Sequence, residues 1–213
     1  MRYIILTLTL MFGLCSFSQD LNKEANGYTQ VIQAELTKAE LYQKLNEWVA
    51  VSYNSANEVI QLNTTEKIII KGILTLPYTN WAGKLSLNVS HSLTFIIREG
   101  RFKVDFIATS VTNNSGGLAD ISLINVFLTE EAYTKEQHLQ YMEASQRSQF
   151  ATFGYSEKKI DKMIAKYIND ANQTNMDYNH YIDNRTNWVN EINNIFNQID
   201  EYVNKSEQTE DNW

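Results

Sequence analysis

Apolar and polar positions alternate most strictly from Leu85 to Phe106. Leu85, Leu87, Val89, Leu93, Phe95 and Ile97 interleave with Ser86, Asn88, Ser90, Ser92 and Thr94, the period-two pattern of a sheet with one dry and one wet face. Glu99-Gly100 supplies a two-residue turn that sets Ile97 opposite Phe102, Phe95 opposite Val104 and Leu93 opposite Phe106. A slip of one residue would expose every one of these side chains, so the pattern fixes the register. The same register puts His91 on the dry face opposite Ala108.

Upstream, Tyr28 to Glu35 reads as a strand. Thr37 and Glu40 then form a capping box that opens a helix with Leu41, Leu45, Trp48, Val49 and Ser52 on one face. Glu58 to Leu62 and Lys67 to Leu76 flank Asn63-Thr64-Thr65-Glu66 as a hairpin, with Ile68, Ile70, Leu74 and Leu76 sharing a face. Asn113 to Gly117 reads as a loop and Ile121 to Leu128 as a sixth strand. Thr129, Glu130 and Glu131 are expected to open a second helix running to about Phe150.

From Ser156 onward the period changes. Tyr178, Tyr181, Ile182, Trp188, Val189, Ile192, Ile195, Phe196, Ile199, Tyr202 and Val203 recur at helical spacing, and Ile160, Ile164, Tyr167 and Ile168 continue it upstream across a weak stretch at 171–175. One long helix and a bent hairpin both satisfy the pattern. The apolar face must be buried against its own upstream half, against the globular domain, or against another chain, with self-association through residues 178–203 as one outcome.

Composition adds a compartment. Arg2, the apolar run from Tyr3 to Leu14 and the small residues Ser16 and Ser18 read as a signal peptide over residues 1–18, cut before Gln19. The run is too short for a bilayer core, which needs roughly 20 residues of helix, and no later window is longer. Cys15, the single cysteine, follows Leu14, whereas lipid attachment wants a small residue there, so it is expected to leave with the peptide. Loss of Arg2 takes the net charge from -7 to -8. Nucleic acid and anionic lipid surfaces, held mainly by clustered Lys and Arg, are therefore not expected partners. The expected organisation is an α+β domain over 19–152, an antiparallel sheet with helices on one face, then a C-terminal helical extension over 156–205 and a polar tail over 206–213.

The segment from about Gly27 to Phe150 carries Ala39-Glu40-Leu41-Tyr42, Asn46-Glu47-Trp48, Val59-Ile60-Gln61, Ile70-Lys71-Gly72 and Arg98-Glu99-Gly100-Arg101-Phe102. In these it resembles the domain of unknown function 4468, a family of exported proteins of Bacteroidota-type bacteria. The resemblance implies a fold like that of the TATA-box-binding protein. Its motifs are packing and turn residues, so it transfers no catalytic residue.

Candidate chemistry is sparse. The three histidines lack a ligand-spaced neighbour, and nothing pairs His138 or His180 with a Ser and an Asp as a triad requires. Glu130-Glu131 are explained by helix capping, and Gly116-Gly117 has no strand-to-helix context for a phosphate loop. No catalytic residue, metal site or cofactor is expected. A loop from Pro77 to Gly83 presents Tyr78 and Trp81, aromatic candidates for stacking on a ligand. The wet face, with Arg101, Lys103, Asp105 and Thr109 across from the hydroxyls, reads as solvated. The function expected is a non-catalytic binding or structural module of the cell envelope, its partner an unknown protein or envelope ligand. A periplasmic hydrolase with a cleft hidden from the sequence is the alternative.

Overall fold

The computed structural model describes residues 22–24, 27–53, 55–80, 83–113, 122–174 and 176–205. The signal-peptide region with Cys15, the loop over 114–117, Trp81 and the tail beyond Lys205 lie outside the described residues.

Six antiparallel strands form one sheet in the order β1-β2-β6-β5-β4-β3. They are β1 (Asn22–Glu24), β2 (Gly27–Gln33), β3 (Ile60–Asn63), β4 (Lys67–Asn80), β5 (Gly83–Arg98) and β6 (Arg101–Asn113). The β5–β6 register is the one the alternation requires: Ile97 faces Phe102, Phe95 faces Val104, Leu93 faces Phe106 and His91 faces Ala108. Between Ser90 and His91 the pairing skips Thr109, a bulge that keeps the apolar face turned inward up to Val111. Gly100 closes the turn at φ 72°, where a Cβ would be strained, and its carbonyl accepts from the Ala34 amide at 3.0 Å.

Helices α1 (Lys38–Ser52), α3 (Ser122–Phe127) and α6 (Met176–Asn204) pack on the dry face, with α2 (Ala56–Val59) a single turn before β3. The Thr37–Glu40 capping box is present in both directions, and Leu41, Leu45, Trp48 and Val49 are buried. Ser52 is exposed, unlike its expected place on that face. Trp48 meets Tyr53 and Phe95 edge-on.

Four expectations are corrected. Residues Glu58 and Val59 close the turn of α2, so the strand starts at Ile60. The run at Ile121–Leu128 is helical over Ser122–Phe127, and it buries Phe127 together with the alternating Ile124, Val126 and Leu128, where a one-faced strand would bury only the alternating three. The next helix, α4 (Lys135–Thr152), starts at Thr134 and not at Thr129. Thr134 and Gln137 complete a two-way box, whereas the Thr129 hydroxyl donates to the Glu131 carbonyl at 2.6 Å and Glu130 and Glu131 are exposed in the connection. Finally, Pro77 to Asn80 is not loop but the continuation of β4. Proline is tolerated because β3 has ended by then, leaving that edge of β4 without a ladder neighbour.

The edge is taken up by α6. The Asn184 amide donates to the Thr79 carbonyl and accepts from the Thr79 N–H, both at 2.8 Å, and Trp188 Nε1 donates to the Pro77 carbonyl at 3.1 Å. Trp188, Ile192, Phe196, Ile199 and Val203 join the same core cluster as the sheet. Of the ways to bury the tail's apolar face, the chain uses packing against the globular domain. The helical stretch is divided: α5 (Glu157–Thr174) packs mainly on α4, with Ile160 and Ile164 buried, and α6 follows as a separate helix. Arg147 on α4 ties α5 in place through Asp161 at 2.9 Å and Glu157 at 3.4 Å. Among the described residues, no helix is long and apolar enough to cross a membrane.

Candidate functional site

The end of β4 is where the sheet, α4 and α6 meet, and the side chains there are mostly tyrosine and histidine. Helical spacing explains the selection. His138, Tyr141, Met142 and Ser145 project from one face of α4, and Asp177, His180, Tyr181 and Asn184 from one face of α6. Between them lies a cleft of about 690 Å³, closed at the sheet end by Tyr78 and Phe127 and on the α5 side by Tyr167.

One wall is a continuous set of rings. His138 stacks on Tyr181 at 4.6 Å, Tyr181 stacks on Phe127 at 6.0 Å and on Tyr133 at 5.9 Å, and Phe127 meets Tyr78 edge-on. The Tyr181 hydroxyl accepts from the Tyr133 N–H at 2.7 Å and Asn184 is fully used on Thr79, so both are structural. Across the cleft Tyr167 donates to Asp177 Oδ2 at 2.8 Å.

His138 is different. It is 4% exposed, and neither Nδ1 nor Nε2 has a hydrogen-bond partner within the protein. Burial pushes its pKa down, and the opposing pull of Asp177 is the weaker influence. The ring is therefore a neutral imidazole at the wall of a cleft, with one nitrogen carrying a proton and the other a lone pair, both without a protein partner. His180 Nδ1 is likewise buried without a protein partner. Burial raises the Tyr78 phenol, and burial followed by the Asp177 hydrogen bond raises Tyr167, so both remain neutral hydroxyl groups. Among the described residues, no Lys or Arg lines the cleft.

The candidates named from sequence are distributed as follows. Tyr78 is in the cleft wall, on the dry face of β4 and not on a loop. His91 is a core residue, 3% exposed and stacked on Phe106 at 4.8 Å. His138, His180 and Asp177 were missed as a group because their segments are about 40 residues apart; the available signal was His138 and Tyr141 beside Asp177, His180 and Tyr181 at matching helical spacing. Among the described residues no three His, Cys, Asp or Glu side chains converge as a metal ion would need. A second cleft, between α1 and the end of α6, is lined by Glu35, Glu40, Lys44 and Glu47, of which Glu40 is engaged in capping.

Residues 28–111 match the family model described as a domain of unknown function (DUF4468) with TBP-like fold. This segment belongs to that family. The DUF4468 segment runs from β2 to β6 and includes α1, so it contributes Tyr78, Thr79 and Asn80 to the cleft; every other wall residue comes from α3 to α6. Two solved structures are similar. A DUF4468 family protein from Bacteroides ovatus ATCC 8483 is 11% identical, with a TM-score of 0.42 over 77% of this chain and 91% of that one. A TBP-like protein from Parabacteroides distasonis ATCC 8503 is 17% identical, with a TM-score of 0.32 over 41% of this chain and 57% of that one. No curated protein matches.

Proposed function

We propose that the protein is an exported, non-catalytic binding module of the cell envelope that holds a small neutral or cationic molecule in the cleft between β4, α4 and α6. The observation that carries this reading is His138: a buried imidazole with both nitrogens unpartnered within the protein is costly, by about 1–3 kcal/mol for each unmet group, unless something in the cleft completes it. Aromatic walls bring stacking area, and neutral hydroxyl and imidazole groups fix orientation. Asp177, in a described lining without Lys or Arg, disfavours phosphate and carboxylate ligands. Export rests on the sequence of residues 1–18, and the cysteine-free remainder suits an oxidising compartment without disulfides.

A hydrolase is the second reading, favoured by the convergence of Asp177, His138 and His180 in one cleft. Against it, burial disfavours the protonated form of His138, and Asp177 is held by a tyrosine rather than by either imidazole.

Titrating a small-molecule library into 15N-labelled protein tests both. The expected result is a neutral or cationic compound that shifts His138, Tyr141 and Tyr181 resonances together and is recovered unchanged. His138→Phe, which keeps the ring but removes both nitrogens, should weaken it about tenfold, the worth of one good hydrogen bond. Recovery of a cleaved product would favour the hydrolase. Shifts confined to other surfaces would remove the cleft from consideration.

A further inference from the structure

The wet face of the sheet has an uneven charge that the whole-chain value conceals. Every cation on β2 to β6 falls on it: Lys67, Lys71, Lys84, Arg98, Arg101 and Lys103, against one carboxylate, Asp105. The chain as a whole carries 25 acidic and 18 basic residues. The two acids at the sheet's turns are drawn to the other side, Glu66 to the Lys38 ammonium at 2.9 Å and Glu99 to the Lys38 amide at 3.0 Å, so they do not neutralise this face. Arg98 and Arg101 pair directly across the turn, a like-charge contact that is unfavourable unless an anion lies over it.

Exposed aliphatics gather on the same surface. Ile73 is 69% exposed, and Val31, Leu62 and Ile107 also stand in solvent. The pairing puts them in register with the cations: Val31, Lys103, Ile96 and Lys67 form one row across four strands, and Ile107, Ser92 and Lys71 form another. Solvation accounts for scattered lysines or for a stray exposed isoleucine, but it does not bring both to one face. Among the described residues, all the helices that contact the sheet lie on the opposite side.

We propose that this open face of β2 to β6 is a docking surface for an acidic polypeptide with apolar side chains between its carboxylates. Alternating cations and aliphatics complement such a partner row by row, with charge setting the encounter and the aliphatics completing a dry contact. Other anions fit less well. Across β2 to β6 the face carries no Phe, Tyr or Trp, so it lacks both the stacking platform used for unpaired bases and the aromatic anchors of membrane interfaces. The surface is separate from the aromatic cleft and stands without it.

The test is a binding titration of the purified protein with a random glutamate–leucine copolymer, alongside poly-glutamate, phosphatidylglycerol vesicles and a duplex DNA. The copolymer should bind most tightly, and its affinity should fall about tenfold or more as salt rises from 50 to 300 mM, as screened charge contacts do. Lys67→Glu with Lys71→Glu and Arg101→Glu should abolish that binding. Ile73→Ser, at a position too exposed to affect folding, should lower it about threefold, while Lys158→Glu with Lys162→Glu on α5 should leave it unchanged. Equal loss in the α5 variant, preference for vesicles or DNA, or self-association that the sheet variants dissolve would each overturn the proposal.

Discussion

His91 and His138 are both buried and both stacked on a ring, at 4.8 Å from Phe106 and 4.6 Å from Tyr181, yet the matrix around them differs. His91 sits in the sheet half, where Gly72 opposite leaves room for it: a Cβ there would come within 2.9 Å of Tyr53 and 3.0 Å of the imidazole. Its Nδ1 lies 3.5 Å from the Val89 carbonyl, and its Nε2 is buried without a protein partner. His138 sits in the helical half, stacked on Tyr181 with Tyr178 5.9 Å away, and lines the cleft. The two rings are equally buried, but one is enclosed by the sheet core and the other borders a cleft.

The largest perturbation is expected where the halves join. Trp188 is fully buried, lies 4.8 Å from Phe127, and donates to the Pro77 carbonyl on the edge of β4. Trp188→Ala should cost about 3–5 kcal/mol in urea-induced unfolding, and in a single transition, because sheet and α6 share one cluster. A cost below about 1 kcal/mol, or two transitions, would mean that the sheet half stands alone and that the core is not continuous.

The next effect belongs to the closed half. Burial pushes His91 down to about 4 from an ordinary value of 6.5, with the Val89 carbonyl opposing it weakly. Between those limits the unfolded chain binds more protons than the folded one, so stability falls as pH drops from about 6.5 towards 4, by at most about 3 kcal/mol. His91→Leu removes that proton difference. Its unfolding free energy should change less between pH 7 and pH 4.5 than that of the unaltered protein; equal slopes would show that His91 is hydrated after all.

What was legible in the sequence follows the same division. The β5–β6 register, the Thr37 cap and the fate of Trp48 were readable because each is set by neighbours along the chain or directly across a two-residue turn. Ile121–Leu128 was misread because a short apolar run satisfies strand and helix alike until packing chooses: Ile124, Val126 and Leu128 alternate as in a strand, and only the folded segment buries Phe127 beside them. Pro77 looked like a loop marker because nothing local reveals that α6, more than 100 residues on, supplies the partners for that edge. The cleft was invisible for the same reason. Tyr78, His138 and Asp177 come from three elements, and His138 was set aside in a search for triads when the relevant property, a buried ring without a protein partner, exists only after folding.

The smallest effect has the opposite sign, and it separates the histidines most directly. Replacing His138 by Phe retains the stack on Tyr181 and removes two nitrogens that no protein group completes, so the ligand-free protein should gain about 1 kcal/mol in unfolding free energy at pH 7. Such a gain fits a position where packing has been subordinated to binding, as groups that serve a ligand are often held at some expense to the fold. The matching change His91→Phe must fit a larger ring beneath Gly72 and should be destabilising by about 1–3 kcal/mol. Equal and opposite outcomes are not required, only opposite signs: a loss of stability in His138→Phe would mean that its nitrogens are already satisfied and that the cleft is an ordinary surface groove.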